Sequence, residues 1–147
     1  MVQSAGVHSK LIVGDNTGSI HLVDASRKVV MNKKELPGFE GRRINNISTA
    51  TLEWVDSKLT LAAVVARGTP IVHIVAFKHN ENKFHHFYSV NVCPDLENPD
   101  SLETNEGQSY TCLPAEVQLS VDSEFLAVIF FDGSVKVLKM PPIIDPM

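Results

Sequence analysis

The clearest folding signal in the chain is VQLSVDSEFLAVIFFDGSVKVLK, at residues 117–139. Polar and apolar residues alternate up to Val121, and seven apolar residues then follow without a break at 125–131. Asp132-Gly133 is a strong hairpin signal, and a second alternating run comes after it. The β-branched residues, the short run and the turn that ends it favour strands over a helix. Because the run is apolar on both faces, we expect covering layers on both sides, as in stacked sheets.

An apolar strand, a tight turn and an Ile/Val-rich strand occur together three times, at 10–24, 58–77 and 125–139. A repeat of this kind indicates stacked units that each bury a face against a neighbour. The pattern divides the chain into an N-terminal tail at 1–9, a partial unit at 10–36, a full unit at 47–92, an acidic loop at 93–114, a partial unit at 115–140 and a C-terminal tail at 141–147.

Residues 117–139 resemble part of a WD-repeat blade, and LIVGDNTGSIHLVD at 11–24 resembles the same part of another blade. That family ends its third strand with Trp-Asp, whereas this chain has Val23-Asp24 and Leu138-Lys139, and the Gly-His that opens a repeat is missing. Only Asp15 and Asp132 match the acidic member of the family's buried polar network. The resemblance implies an all-β fold with degenerate blades that are held mainly by apolar packing.

Chain length limits the number of blades. At roughly 40–45 residues per blade the chain supplies about three, whereas closed propellers have about 4–8. The first unit starts at what should be a second strand, and the third unit stops after its third strand. We therefore expect an incomplete β-propeller of about three four-stranded antiparallel blades, either a piece or short form of a larger propeller or a chain completed by other subunits. An irregular β-sandwich of about ten strands is the alternative fold.

Composition places the protein among soluble globular domains. The hydrophobic fraction is 44% and the charged fraction 20%, both near the usual averages. No apolar run reaches the roughly 18 residues that a membrane span needs, and the N-terminus is too polar for a secretory signal. Cys93 and Cys112 have no metal-like spacing and are interpreted as reduced thiols. We expect a cytoplasmic protein with no membrane association.

Charge is distributed unevenly along the chain. Residues 1–83 have 11 Lys and Arg against 7 Asp and Glu, whereas residues 84–147 have 2 against 10. Two patches of opposite sign suit a subunit that docks between protein partners. The alternative is a nucleic-acid-associated module that uses the basic stretch at 27–43. The candidate protein-contact residues are the basic Arg27, Lys28, Lys33, Lys34, Arg42 and Arg43 and the acidic Asp95, Glu97, Asp100, Glu103 and Glu106.

Motifs of catalysis are missing from the sequence: we find no nucleophile elbow, zinc-protease helix or phosphate-binding loop. His73, His79, His85 and His86 invite a metal hypothesis, but His85 and His86 would point to opposite faces of one strand. We expect no catalytic residue, cofactor, metal or small-molecule substrate.

The resemblance implies a non-enzymatic scaffold subunit of a larger multi-protein assembly. Other subunits would cap or complete the propeller through blade edges, loop ends and exposed sheet faces. Degenerate WD-repeat subunits of this style are similar to those of multi-subunit frameworks, and we expect a cytoskeletal or ciliary axonemal setting.

Overall fold

A computed structural model of the protein describes residues 2–4, 10–54, 57–93 and 113–142. Its strands form three antiparallel sheets in chain order, here called the first, middle and third sheets. Within the described ranges, no helix has the length and hydropathy that a membrane-spanning helix requires. The first sheet is β1–β4, the middle sheet β5–β8 and the third sheet β9–β11, with bounds β1 Val2–Ser4, β2 Lys10–Gly14, β3 Ser19–Asp24, β4 Val29–Glu35, β5 Ile44–Trp54, β6 Ser57–Ala66, β7 Ile71–Lys78, β8 His85–Asn91, β9 Pro114–Leu119, β10 Phe125–Phe130 and β11 Val135–Lys139.

The first sheet contains a strand that the sequence did not predict. Val2–Ser4 pairs with β2, with Val2 opposite Val13 and Ser4 opposite Leu11. The expectations of an N-terminal tail at 1–9 and of a first unit without its first strand are therefore wrong for these three residues. A three-residue strand is too short to show an alternating pattern, so only its pairing partner reveals it.

The middle sheet is covered on both faces, which explains its continuous apolar run. In β6, Leu61, Ala63 and Val65 belong to a core shared with the third sheet. Ala62 and Val64 alternate with them and belong to a second core, shared with the first sheet. All five side chains are fully buried. Successive residues of a strand point to opposite faces, so a strand between two sheets is apolar at nearly every position.

The third sheet is covered on one face only. Leu126, Val128 and Phe130 are buried against the middle sheet. On the other face, Phe125 remains 44% exposed, and Phe131, just beyond the strand, is 58% exposed. The prediction that the apolar run at 125–131 has cover on both sides is therefore wrong for one face within the described residues. The sheets are stacked as three layers rather than paired as two, so the sandwich alternative is also wrong.

Hydrogen bonds from side chains join the first strand of the middle sheet to the first strand of the third sheet. The Asn46 Oδ1 atom accepts the Val117 N–H at 3.0 Å, and the Ser48 Oγ atom accepts the Leu119 N–H at 2.9 Å. These bonds join β5 to β9, and β5 also contacts β1. The first strands therefore lie side by side, and the later strands of each sheet lie progressively farther from them.

Candidate protein-interaction surfaces

One face of the third sheet presents apolar side chains to solvent. Strand register places Ala127 opposite Val137 and Ile129 opposite Val135, with Phe125 on the same face. Val135 is 60% exposed and Val137 is 63% exposed. We call these five residues the open face of the third sheet. Contiguous exposed apolar surface is uncommon on soluble monomers and marks sites of interaction.

Polar residues border this face along the two flanking strands. Glu116 lies opposite Ile129 and Gln118 opposite Ala127, both on β9 and both exposed. Lys139, on β11, lies opposite Phe125 and is also exposed. An apolar centre with a polar border is the usual composition of a protein–protein interface.

The first sheet has a corresponding face at the other end of the stack. Leu11 lies opposite Val23, which in turn lies opposite Val30. Leu11, Val13 and Val23 are half-buried, and Val30 is 62% exposed. We call these four residues the open face of the first sheet. The stack of three sheets therefore ends in an apolar face on each side.

The basic candidate residues do not form one patch. Arg27 and Lys28 lie in the turn between β3 and β4, where the Arg27 Nε atom donates to Asp24 Oδ2 at 3.0 Å. Lys33 and Lys34 lie at the far end of β4, near the loop that contains the other two arginines. β3 has six residues, so roughly 20 Å separates the two ends. The acidic candidates Asp95, Glu97, Asp100, Glu103 and Glu106 lie outside the described residues.

The fold adds a third arginine to the pair Arg42 and Arg43. The Arg67 N–H donates to the Arg43 carbonyl at 2.9 Å, and both side chains are exposed. Arg42 is engaged differently, since its Nη1 atom donates to the Gly68 carbonyl at 3.0 Å. This juxtaposition could not be predicted from the sequence, because Arg67 lies in the turn between β6 and β7, beyond the next two strands of the chain.

Comparisons with known proteins reveal the architecture to which this stack corresponds. No protein-family model matches the sequence, and no curated protein matches it. The C-terminal WD40 domain of Sif2 matches with a TM-score of 0.61 at 9% identity, over 97% of this chain and 34% of that one. A chain of the mitotic checkpoint complex matches with a TM-score of 0.60 at 13% identity, over 95% of this chain and 35% of that one. The structure of U3-55K matches with a TM-score of 0.56 at 10% identity, over 90% of this chain and 39% of that one.

The chain has the fold of part of a WD40 propeller. These identities are low, so the likeness concerns the fold alone, and the chain spans about a third of the length of the first two structures. The prediction of an incomplete all-β propeller is confirmed, with each sheet as one blade. Since the described part of the third blade has three strands and the other two have four, β11 is an edge strand there.

The two aspartates that match the acidic member of the WD-repeat network bond locally in this propeller. Asp15 accepts the Thr17 and Ser19 amides at 2.9 and 3.0 Å and contacts His21 Nε2 at 2.9 Å. Burial alone would raise its pKa, but these hydrogen bonds together lower the pKa below the ordinary range. Asp132 accepts the Ser134 amide at 2.8 Å. Both carboxylates therefore stabilise their own hairpin turns rather than linking strands of a blade.

A polar cluster lies between the middle blade and the loop before it. His73 is 3% exposed, and its Nε2 atom is 2.6 Å from the Pro37 carbonyl. Because a carbonyl only accepts, Nε2 has the proton, and Nδ1 accepts from the Ser89 hydroxyl at 2.7 Å. The His86 Nε2 atom contacts the same hydroxyl at 2.5 Å. Burial lowers the pKa of His73, so the neutral ring holds this loop against the blade.

Among the described residues, His79 and His85 lie outside this cluster. The His79 Nε2 atom is 2.6 Å from Thr60 Oγ1, and the ring stacks on Phe77 with centroids 4.9 Å apart. Burial lowers the pKa of His79, and the nearby charges of Lys10 and Lys58 lower it further. His85 pairs with Glu81 at 3.3 Å. Among the described residues, His, Cys, Asp and Glu form no group of three that could hold a metal ion.

Proposed function

We propose that the chain is a non-enzymatic, WD40-like scaffold subunit that joins a larger protein assembly through the two ends of its blade stack. The observation that supports this most directly is the open face of the third sheet. The opposite face of β10, which carries Leu126 and Val128, is fully buried against the middle sheet. The open face has the same chemistry, and no described residue covers it.

The composition of the open face favours a protein partner over a nucleic acid. The free energy of binding gains most from aliphatic and aromatic side chains when an apolar surface of the partner covers them and excludes water. Phosphates are instead recognised by clustered cations, and the basic residues lie at two separate ends of the first sheet. Arg27 is further neutralised by Asp24. A scaffold that buries apolar faces accounts for these features better than a phosphate-binding module does.

The proposal includes subunits that cap or complete the propeller, with the basic and acidic candidate residues as peripheral contacts. Charged residues at the border of an interface steer association and orientation more than they add affinity. We place the assembly in the cytoplasm, in a cytoskeletal or ciliary axonemal setting. Imaging of a tagged chain in ciliated cells tests that location: signal confined to the nucleus or to membrane compartments would contradict it.

Co-purification with matched variants tests the scaffold function. Val137→Asp places a charge on the open face, whereas Val121→Asp changes a turn residue that is 90% exposed and lies outside that face. We expect protein subunits to co-purify stoichiometrically with the wild-type chain and with Val121→Asp, and to be lost from Val137→Asp. Equal recovery with both variants would show that the open face is not the contact.

A salt titration separates the scaffold from the nucleic-acid alternative. Binding of the purified chain to a mixed-sequence RNA or DNA duplex is measured between about 50 and 200 mM salt, where about 6–10 phosphate contacts lose roughly 10³–10⁵ in affinity. The scaffold proposal predicts no tight binding at the higher concentration. Tight, steeply salt-dependent binding that is abolished by replacing Arg43 and Arg67 with Gln would favour the alternative.

A further inference from the structure

We infer that the open face of the third sheet packs against the open face of the first sheet in a second copy of this chain, so that two chains close one ring of six blades. This inference rests on the proposed function, because it names the partner that covers the open faces. Six blades lie within the range of about 4–8 found in closed propellers.

The two open faces match the interfaces that are already formed within the stack. Each formed interface joins the second and third strands of one sheet to those of the next: Ile12 and Leu22 pack in one core with Val64 and Val75. The open face of the third sheet lies on the second and third strands, β10 and β11. On the first sheet, Leu11 and Val23 lie on β2 and β3, again the second and third strands.

The direction of the stack makes the contact head-to-tail. The first sheet buries the face that turns towards the next blade, and no blade among the described residues covers its other face. The third sheet does the reverse. Joining the third sheet of one copy to the first sheet of another therefore continues the stack in the same sense. Two such contacts close a ring on a two-fold axis when the blade-to-blade rotation permits it, whereas without closure they would build a filament.

Charge favours this pairing over like-with-like contacts. Residues 10–43 have seven Lys and Arg against four Asp and Glu, whereas residues 113–142 have two against four. Near the faces themselves, Lys33 lies opposite His21 on the first sheet, whereas the third-sheet face is bordered by one charge of each sign, Glu116 opposite Ile129 and Lys139 opposite Phe125, so the preference comes from the net charges of the two segments. Opposite net charges attract across a head-to-tail contact. A contact between two third sheets, or between two first sheets, would bring together like charges.

The solution mass of the purified 147-residue chain tests the inference. The monomer is 16.2 kDa, and we expect light scattering or sedimentation to give twice that mass. Val30→Asp on the first sheet and Val137→Asp on the third should each weaken the dimer by about tenfold or more, since a buried carboxylate without a partner is strongly disfavoured. Val121→Asp is the matched control and should leave the mass unchanged, with far-UV circular dichroism confirming that all three variants fold.

Mixing the two face variants tests the head-to-tail geometry specifically. A homodimer of Val30→Asp or of Val137→Asp has a damaged residue in both contacts. A mixed dimer instead has one contact with both damaged residues and one with none. We expect the mixture to form a one-to-one heterodimer more tightly than either variant pairs with itself. No gain on mixing, or a dimer lost with Val137→Asp and kept with Val30→Asp, would overturn the head-to-tail arrangement.

The remaining outcomes separate this inference from the proposed function. A folded chain that stays at 16.2 kDa up to about 100 µM, well above the micromolar range of ordinary affinities, overturns the inference. If other subunits still co-purify through the open face, the scaffold function stands without the second copy. A mass that grows continuously with concentration indicates a filament and refutes ring closure. A folded wild-type chain that neither dimerises nor co-purifies with other subunits contradicts both the inference and the proposed function.

Discussion

Replacing Ser48 isolates the hydrogen bond that joins the first strands of the middle and third sheets. Ser48 is 5% exposed, and its hydroxyl accepts the amide of Leu119, which is 3% exposed. Ser48→Val and Ser48→Thr add nearly the same volume and differ only in whether the acceptor remains. Without it, the Leu119 N–H stays buried and unpaired, which costs about 1–3 kcal/mol. Since each kcal/mol shifts Tm by about 2–4 °C in a domain of this size, we expect Ser48→Val to melt about 2–12 °C below Ser48→Thr.

Urea unfolding followed by far-UV circular dichroism measures this free-energy difference, and amide hydrogen exchange at Leu119 locates it. Ser134→Ala serves as the control, because it removes a hydroxyl from an exposed turn and should change stability by less than about 0.5 kcal/mol. The reasoning is refuted if Ser48→Val and Ser48→Thr unfold at the same urea concentration with equal Leu119 exchange.

Three further predictions concern a turn and two titrating groups. Gly18→Ala should destabilise far more than Gly133→Ala in thermal melts, because a Cβ at Gly18 would lie 1.9 Å from the Phe39 carbonyl oxygen, whereas at Gly133 it meets open space. Equal melts would contradict this. Burial holds the pKa of His73 below its ordinary 6.5, so stability present above that pH is lost as pH falls below it. Replacing His73 with Gln should reduce the fall in the urea midpoint between pH 7 and 5. An unchanged fall would show that His73 does not cause this pH dependence. Hydrogen bonds lower the pKa of Asp15 despite its partial burial, so stability is lost as pH falls below the ordinary 3.8. Replacing Asp15 with Asn should reduce this loss, measured as the change of the urea midpoint with pH. An equal loss in the variant would contradict the role of Asp15.

The hairpins were predictable because their signals are local. Asp132-Gly133 and the runs on either side of it indicate β10 and β11, and the strands form there. The nearly continuous apolar run at 59–66 likewise predicts a strand, which the structure shows as β6, covered on both faces. In each case the period of the side chains and the chemistry of the turn lie within a few neighbouring residues.

Features that depend on distant neighbours could not be predicted in the same way. β1 becomes recognisable only when β2 lies beside it. An apolar run shows that a strand can be covered on both faces, but it does not show what lies against each face. In β10 the pattern therefore overestimates the cover, and in β11 Val137 is exposed, as are Lys136 and Lys139.

Charged residues were the least predictable part of the site. Arg27 and Arg43 belong to the same basic stretch of sequence, but β4 lies between them and carries the chain from one end of the first sheet to the other. Arg43 and Arg67 are far apart in sequence, yet their backbones share a hydrogen bond. Sequence spacing estimates proximity only within a turn or a strand, and sheet topology determines the rest.

The bonds from β5 to β9 also have a practical consequence for engineering. They position the last blade from the side, through Asn46 and Ser48, so its placement does not depend on the length of chain that leads into it. The entropy of closing a loop grows slowly with its length, by about 0.6 kcal/mol per doubling. A change in the number of residues between Cys93 and Leu113 should therefore cost little as long as these two bonds remain.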